Sequence, residues 1–561
     1  MNIKVTKTRV LIALLLLFLP FALLLDVRLV TPPAANFYAS ITEIGAVLAT
    51  QERKAEVAAR AKEIREAAAW CAEHPAAALA KWLTVRPQYP EVRSAWLMAN
   101  VLLILGLGMV AGAAKYHAHK NPIVRARRRM RQEDKPPSAA VRWWENRQLD
   151  RTRRADHPPG GVLLGVEKAT GRPVVITDQE ANQHVFLVGT TGSGKTTTLM
   201  NFVESALQRG LPCVTVDGKG DPDLAGRIRA LAARHSRPFW LFGMRGDSCS
   251  YNPLAHGGIT ELTDKLLYLT EWSEPHYEAL ARRYLQAAFR VLKATGTELD
   301  LTTLTRHLDP DALAALARKI ADDAEREAVF GVLSLAKAEE IKGLIARLAL
   351  LAESEIGHLF AAAEAKTLDL AEVTSQRGVA VFSLNSLAFP EYSRLLGRLI
   401  VTDLKTVADR LPGGRAIYTI FDEFSVFASQ AVVDLIGKAR SKGFHTLIAT
   451  QSLADIEAAC GRPVVRQILG NCNTLIIQRQ RQHEDAQALA AEIGTRRSYE
   501  LTHQVETGLV VGGTGYGTVR ETREFVVHPD EIKRLPQGEA ILVRSDPFRV
   551  QRVRVRKPGE R

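Results

Sequence analysis

The sequence predicts an α/β fold that carries an all-helical insertion and is preceded by two membrane-spanning helices. Three observations lead there. Two long uncharged apolar runs lie near the N-terminus, a glycine-rich turn at Gly189–Thr196 sits between a strand and a helix, and strand–helix alternation stops at Leu254 and resumes at Val379. At 561 residues the chain exceeds what one hydrophobic core holds, so several packed units are expected. With 46% hydrophobic and 24% charged residues, it is neither a disordered nor a collagen-like chain. Only 6% is aromatic and no repeat is visible, which argues against propellers and solenoids. The cysteines Cys71, Cys213, Cys249, Cys460 and Cys472 form no CxxC pair, which disfavours a disulfide framework or a structural zinc and fits a reducing compartment.

The first apolar run, Val10–Leu25, has 16 residues. At ~1.5 Å per residue it spans roughly 24 Å, a little under a ~30 Å hydrocarbon core, and Lys7 and Arg9 can snorkel to cover the difference. The second, Ala95–Ala114, has 20 residues with Asn100 as its polar interruption, and Gly106, Gly108 and Gly112 offer a close-approach face. Basic residues flank both outer ends, whereas the segment Asp26–Arg93 has nine Lys/Arg against eight Asp/Glu. This places both termini in the cytoplasm and residues 26–93 outside. A cleaved signal peptide over residues 1–25 is the competing reading. In the external segment, Ser40–Glu43 has capping-box spacing and starts an expected helix running to about Ala69.

Of the net charge of +13, the stretch Lys115–Ala155 holds +9, from 13 Lys/Arg against 4 Asp/Glu. Such a stretch serves either as a stop-transfer signal at anionic headgroups or as a phosphate contact for nucleic acid. Pro136-Pro137 and Pro158–Gly161 punctuate its end.

The chemistry centres on His184–Val188, an apolar strand, followed by Gly189, Thr190, Thr191, Gly192, Ser193, Gly194, Lys195, Thr196 and Thr197. This is GxxxxGK[ST] ahead of a helix, the pattern of a nucleotide-binding P-loop. Glycines let backbone N–H groups turn toward a phosphate, Lys195 reaches the β- and γ-phosphates of ATP, and the Thr196 hydroxyl ligates Mg²⁺. The strand Ala416–Phe421 ends in Asp422-Glu423, where Asp422 fits the second metal partner and Glu423 the acid that orients water. The strand Phe444–Thr450 ends at Gln451, a γ-phosphate sensor or an amide capping the next helix. Arg440, just before that strand, is either a finger reaching a neighbouring subunit's nucleotide or an exposed helix-end arginine. Asp217 and Lys219 border the nucleotide or finish a strand turn. Gly513–Gly517 reads as a flexible turn. Arg552–Arg556 alternates as a strand with one basic face, either a charge-protected edge or a phosphate-facing stripe.

Between Ile259 and Val373 no strand signal occurs, and helical stretches such as Glu278–Lys293 and Asp311–Ala336 fill the gap. The expected division is a membrane anchor over 1–115, a basic juxtamembrane linker over 116–160, the first part of the nucleotide-binding domain over 161–258, the all-α insertion over 259–373, and the second part over 374–561.

Together these pieces resemble the type IV secretion coupling proteins of conjugation, the TraG/TraD class. The resemblance rests on GTTGSGKTT (189–197), YNPL (251–254), IFDEF (420–424), ARSKGFHTLIATQS (439–452), ILGNCNTLI (468–476) and HPDEIKRLPQGEAILV (528–543). It implies a RecA-like motor, a homo-hexameric ring at the bacterial inner membrane with its motor domain cytoplasmic, and ATP hydrolysis that moves DNA. It further implies that a relaxase–DNA complex is received and passed to a type IV secretion channel. By position it implies Lys195 and Thr196 on nucleotide and magnesium, Asp422 and Glu423 as Walker B, Gln451 as sensor and Arg440 as finger. The helical insertion would then contact DNA or accessory proteins. Gln183 and His184 depart from the arginine that some relatives carry before the P-loop strand. Three rivals stand beside this reading: a coupling ATPase for protein cargo only, a chromosome-segregation translocase, and a docking receptor without hydrolysis.

Overall fold

The computed structural model describes residues 3–47, 49–82, 89–120, 138–244, 248–269, 272, 274–335, 338–361, 366–410, 416–506 and 512–558. The chain divides into two compact units, residues 1–135 with 499–521, and 136–498 with 522–561.

The N-terminal segment of the first unit is helical: Ile3–Gly45, Gln51–Glu73, Pro75–Trp82 and Pro90–Lys120. Its core is built largely of small residues, with Ala35, Ala39, Ala61, Ala68 and Ala78 buried around Val27, Cys71 and Trp82. Small side chains at four-residue spacing let helix backbones approach closely. Of the two apolar runs, the second lies in Pro90–Ala113, whose mean hydropathy is 2.0 and of which 6% is buried. Among the described residues this is the one helix long and apolar enough to cross a membrane. The first run lies on helical backbone, with the side chains of residues 3–21 outside the described residues. Asn100, the polar interruption, donates to Asp26 Oδ2 at 3.1 Å, as Trp96 Nε1 does at 2.9 Å.

The expected helix start at Ser40 is corrected. Ser40–Glu43 falls inside the first helix, which ends at Gly45, and the next begins at Gln51. Glu43 is taken instead by Arg65, at 2.9 and 2.8 Å, so its carboxylate joins two helices rather than capping one.

In the second unit the helix Ala139–Arg154 is capped by Ser138 and buries Glu145, Leu149 and Thr152, so the expected linker contains a packed helix. Pro136-Pro137 lies outside the described residues. The main sheet is assembled from β1 (Gly161–Glu167), β2 (Pro173–Thr177), β3 (Val185–Val188), β4 (Cys213–Asp217) and β5 (Phe239–Gly243). It continues with β8 (Val379–Ser383), β9 (Ile417–Asp422), β10 (Phe444–Thr450), β11 (Thr474–Ile477), β14 (Glu539–Ser545) and β15 (Phe548–Val555). The order is β2-β1-β15-β14-β11-β3-β10-β9-β4-β8-β5. The strands from β11 to β5 are parallel, and the four beyond β11 add antiparallel. Parallel strands covered on both faces read as unbroken apolar runs. Along β3, Phe186 and Val188 enter one apolar cluster while Val185 and Leu187 enter the other.

Four further expectations change. β15 is not an edge strand: it lies between β14 and β1 and carries Arg552 and Arg554 outward, while Arg556 is buried. Among the described residues, the stretch 259–373 is helical except for β7 (Thr367–Leu368), which pairs in parallel with β6 (Ser250–Tyr251). The expected helix Asp311–Ala336 is two, Pro310–Ala317 and Asp323–Leu335. One apolar cluster runs from Phe186 and Val216 of the sheet through Leu262 and Phe289 of the insertion. Gly513–Gly517, expected as a turn, lies within β13 (Gly512–Phe525), which pairs with β12 (Thr495–Glu506).

Candidate functional site

The site forms where the parallel strands end. β3 stops at Val188, the chain turns through Gly189–Gly194, and the helix Lys195–Arg209 begins. Gly192 and Gly194 have φ of +76° and +112°, which only glycine adopts without strain. At Gly189 a Cβ would fall 2.6 Å from Ser193 Oγ and 2.8 Å from Gln478 Cβ. The Lys195 ammonium donates to the Gly189 carbonyl at 2.7 Å. Burial lowers the Lys195 pKa, and the charges of Glu423 and Asp422 oppose that shift. Thr196 and Thr197 follow on the first helical turn, half-buried.

The neighbouring strand ends supply the acids. β9 pairs with β4 so that Asp422 stands opposite Asp217. Burial raises the Asp422 pKa, Lys195 lowers it and Glu423 raises it again. Asp217 is pushed up to about 7 by burial and then by the Asp422 charge, against hydrogen bonds from backbone N–H groups. Its carboxylate accepts from the N–H groups of Lys219 at 3.0 Å and Asp221 at 2.6 Å. Asp217 thus closes the turn after its strand and stands beside Asp422.

Glu423 sits at φ 51°, ψ 50°, a left-handed conformation uncommon outside glycine. Backbone strain of this kind is held only where the surroundings fix it. Here Gln451 does part of the fixing: its Nε2 donates to Glu423 Oε2 at 2.8 Å and its Oε1 accepts from the Thr191 hydroxyl at 3.0 Å. The rival reading of Gln451 as a helix cap falls away, because Ser452 caps that helix through the Asp455 N–H at 3.0 Å. One amide thus ties the phosphate loop to the acid.

Arg440 is not brought to this cluster within the chain. It is exposed, in the turn Arg440–Lys442 ahead of β10, whereas Gln451 follows that strand. Seven residues at ~3.3 Å each separate the two ends by roughly 23 Å. Arg440 instead lies near the buried His184, whose pKa falls to about 4 through burial, with the Arg440 charge adding to the shift.

Sequence reasoning missed Gln478, Arg479 and Gln480. They follow β11, the strand beside β3, and the rule that picked out Gln451 at the end of β10 applies equally to them. Gln478 accepts from Ser193 Oγ at 3.1 Å and donates to Thr198 Oγ1 at 2.8 Å. The Arg479 carbonyl accepts from the Thr190 N–H at 2.9 Å and hydroxyl at 3.1 Å.

The arrangement fits a magnesium–triphosphate group. Burial and the Asp422 charge raise the Asp217 pKa, so a cation between these carboxylates and a phosphate would be stabilised. Among the described residues no cluster of three or more His, Cys, Asp or Glu forms a self-sufficient metal site. A hydroxyl and a carboxylate completed by phosphate oxygens is the usual P-loop donor set.

Fold and site define a RecA-like P-loop ATPase fold with a mixed sheet. Residues 416–537 match the family model described as the TraM recognition site of TraD and TraG, and residues 145–213 match the FtsK/SpoIIIE family. A curated relative, the type 4 coupling protein DotL of Legionella pneumophila, is 23% identical over 375 residues, 54% of this chain and 48% of the relative. The chain thus spans about half the length of that relative. Two solved structures of the coupling protein TrwB share the fold. The complex with the GTP analogue GDPNP has a TM-score of 0.50 at 16% identity, over 73% of this chain and 91% of that one. The trigonal form with sulphate has a TM-score of 0.50 at 15% identity, over 74% and 91%. Over these stretches the chain is similar to type IV coupling proteins.

Proposed function

We propose that the chain is an inner-membrane coupling ATPase that recruits a relaxase–DNA complex and uses ATP hydrolysis to drive DNA into a type IV secretion channel during conjugation. The observation that carries this reading is the hydrogen-bonded run from Thr191 of the P-loop through Gln451 to Glu423, next to Asp422. In this reading Gly189–Thr197 cradles the phosphates, Lys195 leaves the Gly189 carbonyl for the β- and γ-phosphates, and Thr196 with Asp422 holds Mg²⁺. Bound magnesium supplies charge neutralisation on the phosphate oxygens. Glu423 orients and deprotonates the attacking water, while Gln451 reports the γ-phosphate to Glu423.

Arg440 acts in trans from a neighbouring copy in a homo-hexamer, because its own P-loop lies at the other end of β10. Two spans, Val10–Leu25 and Ala95–Ala114, anchor the ring with the motor domain cytoplasmic. The insertion 259–373 forms a helical domain facing DNA or accessory proteins. DNA binding is sequence-nonspecific, through phosphate contacts.

The test is the ATPase rate of the full-length protein in lipid nanodiscs at low salt, with and without single-stranded and duplex DNA. The reading expects severalfold stimulation that fades as salt rises. A rate indifferent to both DNA forms removes the DNA cargo and leaves protein cargo.

A further inference from the structure

We propose that Gln480 is a positioning residue of the hydrolytic centre, fixing Gln451 and through it the carboxylate of Glu423. The proposal rests on the reading of that centre given above. Gln480 is fully buried (0% exposed), and its Nε2 donates to the main-chain carbonyl of Gln451 at 2.8 Å. That carbonyl lies one residue past the last ladder pair of β10 with β3, Thr450 with Val188. The sheet no longer holds the backbone there, and Gln480 takes over.

The need for such a clamp follows from the Gln451 side chain. It reaches Thr191 with its oxygen and Glu423 with its nitrogen. A flexible side chain keeps two contacts on opposite sides only if its own backbone is fixed, since any rotation there is amplified at the amide. Gln480 is in turn anchored on the phosphate loop, because the carbonyl of the residue before it accepts both the N–H and the hydroxyl of Thr190. The linkage runs P-loop, β11 exit, Gln480, Gln451, Glu423.

Packing alone does not account for this residue. A leucine would fill the same space, whereas the Gln480 amide is desolvated and its Oε1 has no hydrogen-bond partner among the described residues. An unsatisfied buried acceptor costs stability, so a polar side chain here needs a reason beyond the core. Gln478, two residues earlier, clamps Ser193 and Thr198 instead. Successive alternate residues of one strand end thus divide the work: Gln478 shapes the phosphate loop and Gln480 the water-activating side.

The division is testable by steady-state ATPase kinetics of the full-length protein in nanodiscs, with binding of a fluorescent ATP analogue measured alongside. Gln480→Leu removes the donor while keeping bulk, and Gln480→Glu keeps the shape but not the donor. Both are expected to lower kcat at least tenfold while KM for ATP and the analogue Kd move less than twofold. Gln478→Leu is expected to weaken analogue binding at least fivefold. In a Gln451→Ala background, Gln480→Leu should add no further loss. Wild-type kcat in both Gln480 variants, a rise of KM in step with the fall of kcat, or a multiplicative loss with Gln451→Ala overturns the proposal. Glu423→Gln serves as the reference: if it is inactive while the Gln480 variants are normal, only the positioning role fails. If Glu423→Gln itself turns over normally, the hydrolytic centre and the proposal fail together.

Discussion

At single residues the chemistry is set by what each position excludes. Gly189 leaves no room for a Cβ between Ser193 Oγ and the Gln478 side chain. Gly189→Ala must therefore shift the loop, and ATP binding measured by calorimetry is expected to weaken at least tenfold with the fold intact by circular dichroism. Unchanged affinity would mean the loop tolerates the methyl group. The P-loop and the Asp422-Glu423 pair were legible because glycine spacing and an apolar strand ending in two acids carry their own chemical meaning. Gln451 was legible as a sensor or a cap; the coordinates give the cap to Ser452 and show Gln451 bridging Thr191 and Glu423, because an amide at a strand end can cap, sense or bridge. Gln478 and Gln480 were hidden for the same reason: glutamine after a strand is common, and only the neighbour relation of β11 to β3 gives it a role.

At the scale of elements, apolar runs located β3, β8, β9 and β10, since strands buried on both faces cannot alternate, but not β5 or β11. Edges and helix boundaries were harder. β15 has the alternation of an exposed strand, yet β1 returns from far earlier in the chain to cover it, a pairing no local pattern announces. Ser40–Glu43 has the spacing of a cap, but capping also needs the preceding chain to leave the helix, and it does not.

The end of β15 is joined to the P-loop helix by a buried cluster. Arg556 Nη2 donates to Glu204 Oε2 at 2.6 Å, and Asn201 Nδ2 donates to the Arg556 carbonyl at 3.1 Å. His157 Nδ1 accepts from the Leu163 N–H at 3.0 Å, which leaves Nε2 to face Glu204 at 3.2 Å. A second proton on His157 would displace the Leu163 contact. Burial accordingly holds the His157 pKa below its ordinary 6.5, against the pull of Glu204. Burial alone would raise Glu204, but His157 and Arg556 hold it below 4.5. Both groups have folded-state values below their unfolded ones, so the stability they give is present at neutral pH. It is lost as pH falls, through His157 below about 6.5 and then through Glu204 below about 4.5. Thermal unfolding followed from pH 8 to 5 should show the melting temperature falling below pH 6.5, and His157→Gln should flatten that slope. An unchanged slope in the variant would place the acid sensitivity elsewhere.

For the whole molecule, the proposed trans role of Arg440, which lies at the far end of β10 from Gln451, requires a neighbouring copy. Arg440→Ala is expected to leave nucleotide binding intact and to cut turnover by about 10³-fold or more in assembled rings, the range arginine fingers supply. Mixed rings of Arg440→Ala and Lys195→Ala subunits should regain activity at interfaces that pair an intact finger with an intact P-loop. No recovery at any mixing ratio would put Arg440 outside the reaction. In the proposed mechanism, ATP held at Gly189–Thr197 is cleaved by water activated at Glu423. This step is tested most directly by mixing the Glu423→Gln protein with radiolabelled ATP and Mg²⁺ and analysing the nucleotide retained after rapid gel filtration. The account predicts ATP retained intact, with phosphate release at least a hundredfold below wild type; ADP formed at the wild-type rate would contradict it.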